Sequence, residues 1–158
     1  MKTALAFLLA ALLALTSACS PGGTNQNDDP ASIPEWTVTV AKADGETSFS
    51  SADAATFTPV TIEATTKNKN GESTTSTYTG VKLADVLAGV SDFSSVTIVA
   101  SDGFSADYDK ELALAGDTIL AWEKDGEIID DVPPLQMAPK QGTGNQFVKS
   151  VVKITVNP

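Results

Sequence analysis

The sequence has 158 residues and 42% apolar composition, which is enough for one compact domain with its own hydrophobic core. Its 20 acidic residues outnumber its 10 lysines, and a surface with a formal net charge of −10 repels the phosphates of nucleic acids, so no nucleic-acid partner is expected. The chain has no histidine and no arginine, which removes the usual imidazole metal ligand and general base and the best bidentate clamp for anions.

The N-terminus has the pattern of a secretory leader. Lys2 precedes an apolar run, Ala4 to Leu15, that is too short to span a membrane. The stretch Leu15 to Cys19 resembles the lipobox of bacterial lipoproteins, in which the cysteine is lipidated and becomes the new N-terminus, although a threonine replaces the usual leucine. We therefore predict a lipoprotein signal peptide over residues 1–18 and lipidation of Cys19. The alternative is ordinary cleavage that leaves Cys19 as a free thiol.

The residues after this cysteine are expected to connect the lipid to a folded domain. Residues 19–32 are polar and rich in glycine, proline and asparagine, which is typical of a flexible tether. Residues 33–158 are predicted to form one domain. The expected location is the cell envelope, outside the cytoplasm, with the protein anchored to the membrane by the lipid on Cys19.

The domain begins with signals for strands and hairpins. Trp36, Val38 and Val40 alternate with polar residues, and Asp44-Gly45 then predicts a hairpin turn. Ser50 or Ser51 can cap a short helical turn that runs to Ala55.

A second hairpin follows directly. Val60, Ile62 and Ala64 define an alternating strand, and Asn70-Gly71 is the strongest hairpin signal in the chain. The returning strand is predicted over residues 73–78. Because both arms are rich in threonine, we expect one face of this sheet to be exposed to solvent.

The middle of the domain combines a helical segment with two more hairpins. In residues 78–90 the spacing of Leu83, Val86, Leu87 and Val90 predicts a short amphipathic helix that ends at Gly89. Two strand pairs follow, each joined by an Asp-Gly turn. They are residues 96–100 with 104–108 and residues 119–123 with 127–129.

The last stretch, Val132 to Val156, is predicted to be a strand, a glycine-bearing loop and a closing strand. Leu135 and Met137 precede the loop, and Val152, Ile154 and Val156 alternate after it. The expected fold class is therefore α+β, with a mostly antiparallel or mixed β-sheet and short helices. The aromatic residues in apolar strand contexts are expected to anchor the core: Trp36, Trp122 and Phe147.

Three fragments resemble, in their order and spacing, the oxidoreductase molybdopterin-binding domain, which has the sulfite-oxidase-like fold. They are Tyr78 to Val90, Ser101 to Tyr108, and Leu120 to Gly126 followed by Pro134-Leu135 and the loop from Lys140 to Lys149. The resemblance covers residues 78–156, and it is carried by the order of the fragments. It implies a molybdopterin-domain-like fold.

The same resemblance implies where a cofactor would bind. Catalytic members of that family hold molybdenum by the pterin dithiolene sulfurs and one protein cysteine, and they seat the pterin phosphate with basic side chains and backbone amides. Here residues 33–158 contain no cysteine, and Gln136 stands where catalytic members tend to have arginine. The remaining candidates for cofactor binding lie in and beside the last loop: Lys140, Gly142, Gly144, Asn145 and Lys149.

Two acidic clusters are candidates for binding cations. Asp102, Asp107, Asp109 and Glu111 could supply oxygen ligands to calcium, but their spacing matches no EF-hand loop. The second cluster is Glu123, Asp125, Glu127, Asp130 and Asp131. We interpret both as charges that keep exposed edges soluble, so that no metal site is predicted.

Together these features predict a lipid-anchored extracytoplasmic module for binding or assembly that is not an enzyme. No catalytic residue and no cofactor is expected. The first alternative is a molybdopterin-dependent oxidoreductase or its accessory subunit, with an envelope redox protein as partner. The second alternative is a calcium-dependent surface adhesin.

Overall fold

We describe a computed structural model of the chain over residues 33–67 and 70–158. The predicted signal peptide, Cys19 and the tether lie outside the described residues. The strands are β1 Thr37–Lys42, β2 Gly45–Ser50, β3 Val60–Lys67, β4 Ser73–Lys82, β5 Ser95–Ala100, β6 Ser105–Asp109, β7 Thr118–Lys124, β8 Glu127–Ile128, β9 Gln136–Pro139 and β10 Val151–Asn157. The α-helices are α1 Ser51–Ala54, α2 Leu83–Val86 and α3 Lys110–Leu114, and a 3₁₀ helix spans Gly144–Gln146.

The strands form two five-stranded sheets. The first sheet has the order β2-β1-β10-β5-β6, in which β1 and β10 are parallel and the other neighbours are antiparallel. The second has the order β3-β4-β7-β8, and β9 also pairs with β7. The predicted α+β class with mixed sheets and short helices is therefore confirmed, and each predicted hairpin forms.

The main hydrophobic core contains residues from both sheets. Val38 and Ile154 of the first sheet share it with Leu120 of the second, and all three are fully buried. The rings of Trp36 and Trp122 stack with their centroids 6.2 Å apart. Both tryptophans thus anchor the core, as their strand contexts predict.

A smaller core covers the other face of the second sheet. It contains Ile62, Tyr78 and Ile119, with Phe147 packed against it. Since β7 contributes to both cores, its first five residues are all buried. The outer face of the β3–β4 hairpin is exposed, as its threonines predict, and the Thr65 and Thr75 hydroxyls lie 2.8 Å apart there.

The predicted helix over residues 78–90 is only partly correct. Residues 78–82 continue β4 and pair with β7, and α2 is a single turn. The strand continues because the backbone at Gly80 packs tightly on β7: a Cβ atom there would lie 2.1 Å from the carbonyl oxygen of Leu120. Gly89, with a φ of +84°, ends the segment as expected. The sequence analysis did not predict α3. Asp109 caps this helix, because its side chain accepts a hydrogen bond from the Leu112 amide.

The two strands predicted in the last stretch form, but they belong to different sheets. β9 lies beside β7, whereas β10 is the central strand of the first sheet. The predicted inward position of Val152 is wrong, because a bulge between Val151 and Lys153 shifts the alternation and buries Val151 instead. In the described part of the chain, no helix is long and apolar enough to cross a membrane.

Candidate functional site

The loop between β9 and β10 is held by hydrogen bonds among its own residues and by one to β6. The Thr143 amide donates to the Gln146 side chain at 2.8 Å, and the Gln146 side-chain amide donates to the Asp107 carbonyl at 3.1 Å. The Thr143 hydroxyl donates to the side chain of Asn145. The side chains of Thr143, Asn145 and Gln146 are therefore engaged in hydrogen bonds within the protein.

The two glycines of this loop are required by close packing. A Cβ atom on Gly142 would lie 2.3 Å from Cγ of Pro139, and a Cβ atom on Gly144 would lie 2.9 Å from the Lys67 carbonyl oxygen. Both distances are shorter than van der Waals contacts allow. These glycines thus let the loop pack against β9 and the end of β3.

Two buried tyrosines, one from each sheet, hold the loop. Tyr108 of β6 donates a hydrogen bond from its hydroxyl to the Gln146 carbonyl, and the ring of Tyr78 lies 6.0 Å from that of Phe147. Burial raises the pKa of Tyr108 well above its ordinary value. Burial also raises the pKa of Tyr78, with a smaller upward contribution from the charge of Asp125 and an opposing one from a hydrogen bond with Ser76.

The residues predicted to bind a cofactor are not all brought together. Gly142 and Gly144 line a groove with Thr65 and Lys67, whereas Lys149 lines a different cavity. The Lys140 backbone donates to the Asp117 carbonyl, and its side chain is exposed. Gln136 and Lys149 face each other across an isolated β-bridge, so Lys149 lies on the Gln136 side of the loop.

This cavity lies where the β7–β8 hairpin, β9 and the start of the following strand meet, and its volume is about 370 Å³. The lining residues are Lys124, Asp125, Glu127, Ile128, Ile129, Asp130, Asp131, Gln136 and Lys149. Gln136 is only 4% exposed, and it lines the cavity beside the carboxylates. Among the described residues, the buried side-chain atoms without a hydrogen-bond partner are the Trp36 indole nitrogen and the Thr118 hydroxyl, and the Gln136 amide is not one of them.

The charged groups of the cavity form no ion pair with described residues. Asp125 accepts a hydrogen bond from the Thr77 amide at 2.8 Å, and the Lys124 ammonium lies 5.8 Å from the centre of the Tyr78 ring. Of the acidic cluster that the sequence places on an edge, four members line the cavity and Glu123 does not. The sequence contains this signal as a cluster of charges and predicts the strand that carries Gln136, but it does not show that this strand pairs with β7.

The other acidic cluster mostly stabilises turns and strand ends. Asp102 accepts a hydrogen bond from the Phe104 amide, Asp107 accepts one from the Thr97 hydroxyl, and Asp109 caps α3. Within the described ranges, no three acidic, histidine or cysteine side chains are placed to hold a metal ion.

Comparison with known proteins places the chain in a family. A model of the family "Oxidoreductase molybdopterin binding domain" matches residues 24–158. The chain therefore belongs to this family, and the match extends beyond the residues 78–156 that carry the resemblance in the sequence. No curated protein matches the sequence.

A solved structure has the same fold. It is the sulfane dehydrogenase SoxCD from Paracoccus pantotrophus, with a TM-score of 0.67 and 18% sequence identity. The similarity covers 77% of this chain and 38% of that one, so the chain spans well under half the length of this neighbour. At this identity the likeness shows the fold alone.

Proposed function

We propose that this member of the molybdopterin-binding domain family is a non-catalytic binding module, held outside the cytoplasm by a lipid on Cys19. The observation that carries the proposal is the lining of the cavity at Gln136, which contains four carboxylates, in a domain that has no cysteine. A neutral side chain stands at a position where the family resemblance leads us to expect arginine. This cavity is the natural place for a ligand, because it is concave and has a polar group directed into it.

The cavity does not fit the cofactor that the family name implies. Molybdopterin carries a phosphate, and four carboxylates against two lysines make an unfavourable lining for such an anion. The thiolate that would hold molybdenum is also missing, since residues 33–158 contain no cysteine. We therefore assign no redox step to this domain.

The alternative is that the domain holds molybdopterin as an oxidoreductase or as its accessory subunit. Family membership favours it, and so does Lys149, which lines the cavity without an ion-pair partner among the described residues. In that case an envelope redox protein would be the natural partner.

Metal and pterin analysis of protein purified from its native host separates the two functions. We expect neither molybdenum nor pterin fluorescence in stoichiometric amounts. A stoichiometric cofactor whose content falls in a Lys149→Ala variant would overturn the non-catalytic proposal. Lys140→Ala is the matched control, because this lysine is also exposed and does not line the cavity.

The anchor is tested separately from the ligand. Mass spectrometry of the mature protein should find an acylated cysteine at position 19, and a Cys19→Ser variant should no longer fractionate with membranes. An unmodified mature protein released into the medium would contradict the lipid anchor without bearing on the cavity.

A further inference from the structure

We propose that one end of the domain rests on the surface of the bilayer that holds the lipid of Cys19. This end, the entry end, comprises the start of the domain at residues 33–36, the turn at residues 101–104 and the segment at residues 130–134. The inference rests on the lipid anchor of the proposed function and adds which surface of the domain faces the membrane. It does not depend on what the cavity at Gln136 binds.

Strand register places the start of the domain beside the turn between β5 and β6. β1 runs parallel to β10 with Thr39 opposite Lys153, so residues 33–36, which precede β1, lie near the start of β10. Ser150 comes directly before β10, and its carbonyl accepts a hydrogen bond from the Ser101 amide of the turn at 2.9 Å.

Hydrogen bonds bring the segment of residues 130–134 to the same end. The Val151 amide at the start of β10 donates to the Leu135 carbonyl at 3.3 Å, and the Leu135 amide donates to the Pro133 carbonyl at 2.7 Å. Three segments that are distant in the chain therefore meet where the tether joins the domain.

Most of the exposed apolar surface of the described residues lies at this end. Val132 is 87% exposed and Phe104 is 47% exposed. Ile128, at 42%, lines a cavity together with Lys149, the residue before the start of β10 segment that the turn contacts. The fourth large apolar side chain, Leu114 at 43%, ends α3 and lies at the opposite end of β6. Clustered exposed apolar side chains mark an interaction surface.

The length of the tether identifies the bilayer as the partner of this surface. Residues 19–32 join the predicted lipid to the domain, and the ends of a flexible chain of this length lie about 20 Å apart. The entry end therefore stays close to the membrane. Because a short flexible link gives an effective concentration of about millimolar, a contact too weak to form from solution is populated in the anchored protein.

The charge at the entry end requires that the contact be apolar. Asp102, Asp130 and Asp131 flank the exposed apolar side chains, and anionic headgroups repel them. Phe104 and Val132 can enter the boundary between headgroups and acyl chains, where apolar side chains are stabilised. The lipid surface that fits this end is therefore a zwitterionic one.

Hydrogen–deuterium exchange of the anchored chain tests the inference. The chain from Cys19 onward is coupled through its single cysteine to a maleimide lipid in phosphatidylcholine vesicles, and the reference is the same chain capped with N-ethylmaleimide in solution. The backbone amides of residues 101–104 and 130–132 should exchange severalfold more slowly on the vesicles, because the bilayer covers them. Those of α3 should exchange equally in both samples.

The variants separate the apolar contact from anchoring alone. Phe104→Ser combined with Val132→Ser should abolish the slower exchange, since both apolar side chains are lost. Leu114→Ser is the matched control, because Leu114 is similarly exposed but lies at the opposite end of β6. It should leave the exchange unchanged, and equal loss in both variants would overturn the inference. Melting temperatures show that each variant retains the fold.

The remaining outcomes each decide a separate point. Equal exchange in the anchored and free chains would overturn the inference, and slow exchange of these amides in a concentrated solution of the free chain would show that a second copy covers this end. Adding phosphatidylglycerol to the vesicles should weaken the protection, whereas stronger protection would show contact through lysines and overturn the apolar contact. Because the lipid is supplied chemically, these results concern the orientation alone. An unmodified Cys19 in the native protein would contradict the anchor, and with it the membrane contact in the cell.

Discussion

The loop of residues 142–146 and the cavity at Gln136 lie on either side of the same chain segment, yet their polar groups are used in opposite ways. In the loop, Thr143 and Gln146 satisfy each other, and Gln146 also reaches Asp107 on β6. In the cavity, Gln136 is more deeply buried than any polar side chain of the loop, and the charged side chains around it form no ion pair with described residues. The loop had the stronger sequence signal for binding, but the cavity has the better structural one.

This difference shows how a glycine-bearing loop and a binding site can be told apart. A glycine lets the backbone approach closely either a ligand or another part of the protein. Gly142 and Gly144 pack against Pro139 and Lys67 of the protein itself, so they serve the fold.

The largest expected effect is a loss of stability at alkaline pH, caused by the two buried tyrosines that hold the loop. Because burial raises the pKa of Tyr78 and Tyr108 above the ordinary value of 10.0, the unfolded chain loses these protons first as the pH rises. The stabilisation is fully present below about pH 10 and is lost above it. Melting temperatures from neutral to alkaline pH should therefore be level and then fall steeply.

The control for this titration is Tyr108→Phe, which removes one of the two buried phenols. The fall in melting temperature above about pH 10 should be less steep in this variant. If the phenols instead ionise near pH 10 while circular dichroism stays native, burial does not raise their pKa values as described.

The next largest effect should come from Gly142→Ala. The added methyl group would overlap the buried Pro139 ring, which should lower the free energy of unfolding by about 1–3 kcal/mol in urea denaturation. Gly116→Ala is the matched control, because a Cβ atom there meets nothing within 4 Å. Equal stability of the two variants would show that the loop does not depend on this close contact.

In the cavity, Gln136→Leu should have a smaller effect. An apolar side chain of similar size fills the same space at a position that is 4% exposed, so the free energy of unfolding should change by less than about 1 kcal/mol. The midpoint of urea denaturation measures this change if the slope of the transition is constant. A loss of more than about 1 kcal/mol would mean that the amide has a structural partner after all.

The smallest effects are expected from the two lysines beside the loop. Lys140→Ala and Lys149→Ala, singly or together, should change the free energy of unfolding by less than about 0.5 kcal/mol, because both side chains are exposed. An unfolded double variant would contradict the surface positions of these residues.

Much of the local structure could be predicted from the sequence. The Asp-Gly and Asn-Gly turns joined strands that are adjacent in the chain, and alternation at Val38 and Val40 or at Val96 and Ile98 identified the buried face. The sequence leaves Ser50 and Ser51 open as the cap of α1, and the structure has Ser50 there. These features depend on interactions within a few residues, which the sequence displays directly.

Long-range packing decided the rest. The continuation of β4 through Gly80, the bulge at Val151 and the central position of β10 all depend on strands distant in the chain. The candidate site is of this kind as well, since Gln136 and the acidic hairpin meet only because β9 pairs with β7. The sequence by itself determined the elements, the family resemblance and the excess of acidic charge. Only the tertiary structure decided which polar groups were satisfied, because hydrogen-bond partners come from distant segments whose pairing is fixed by burial of the shared core.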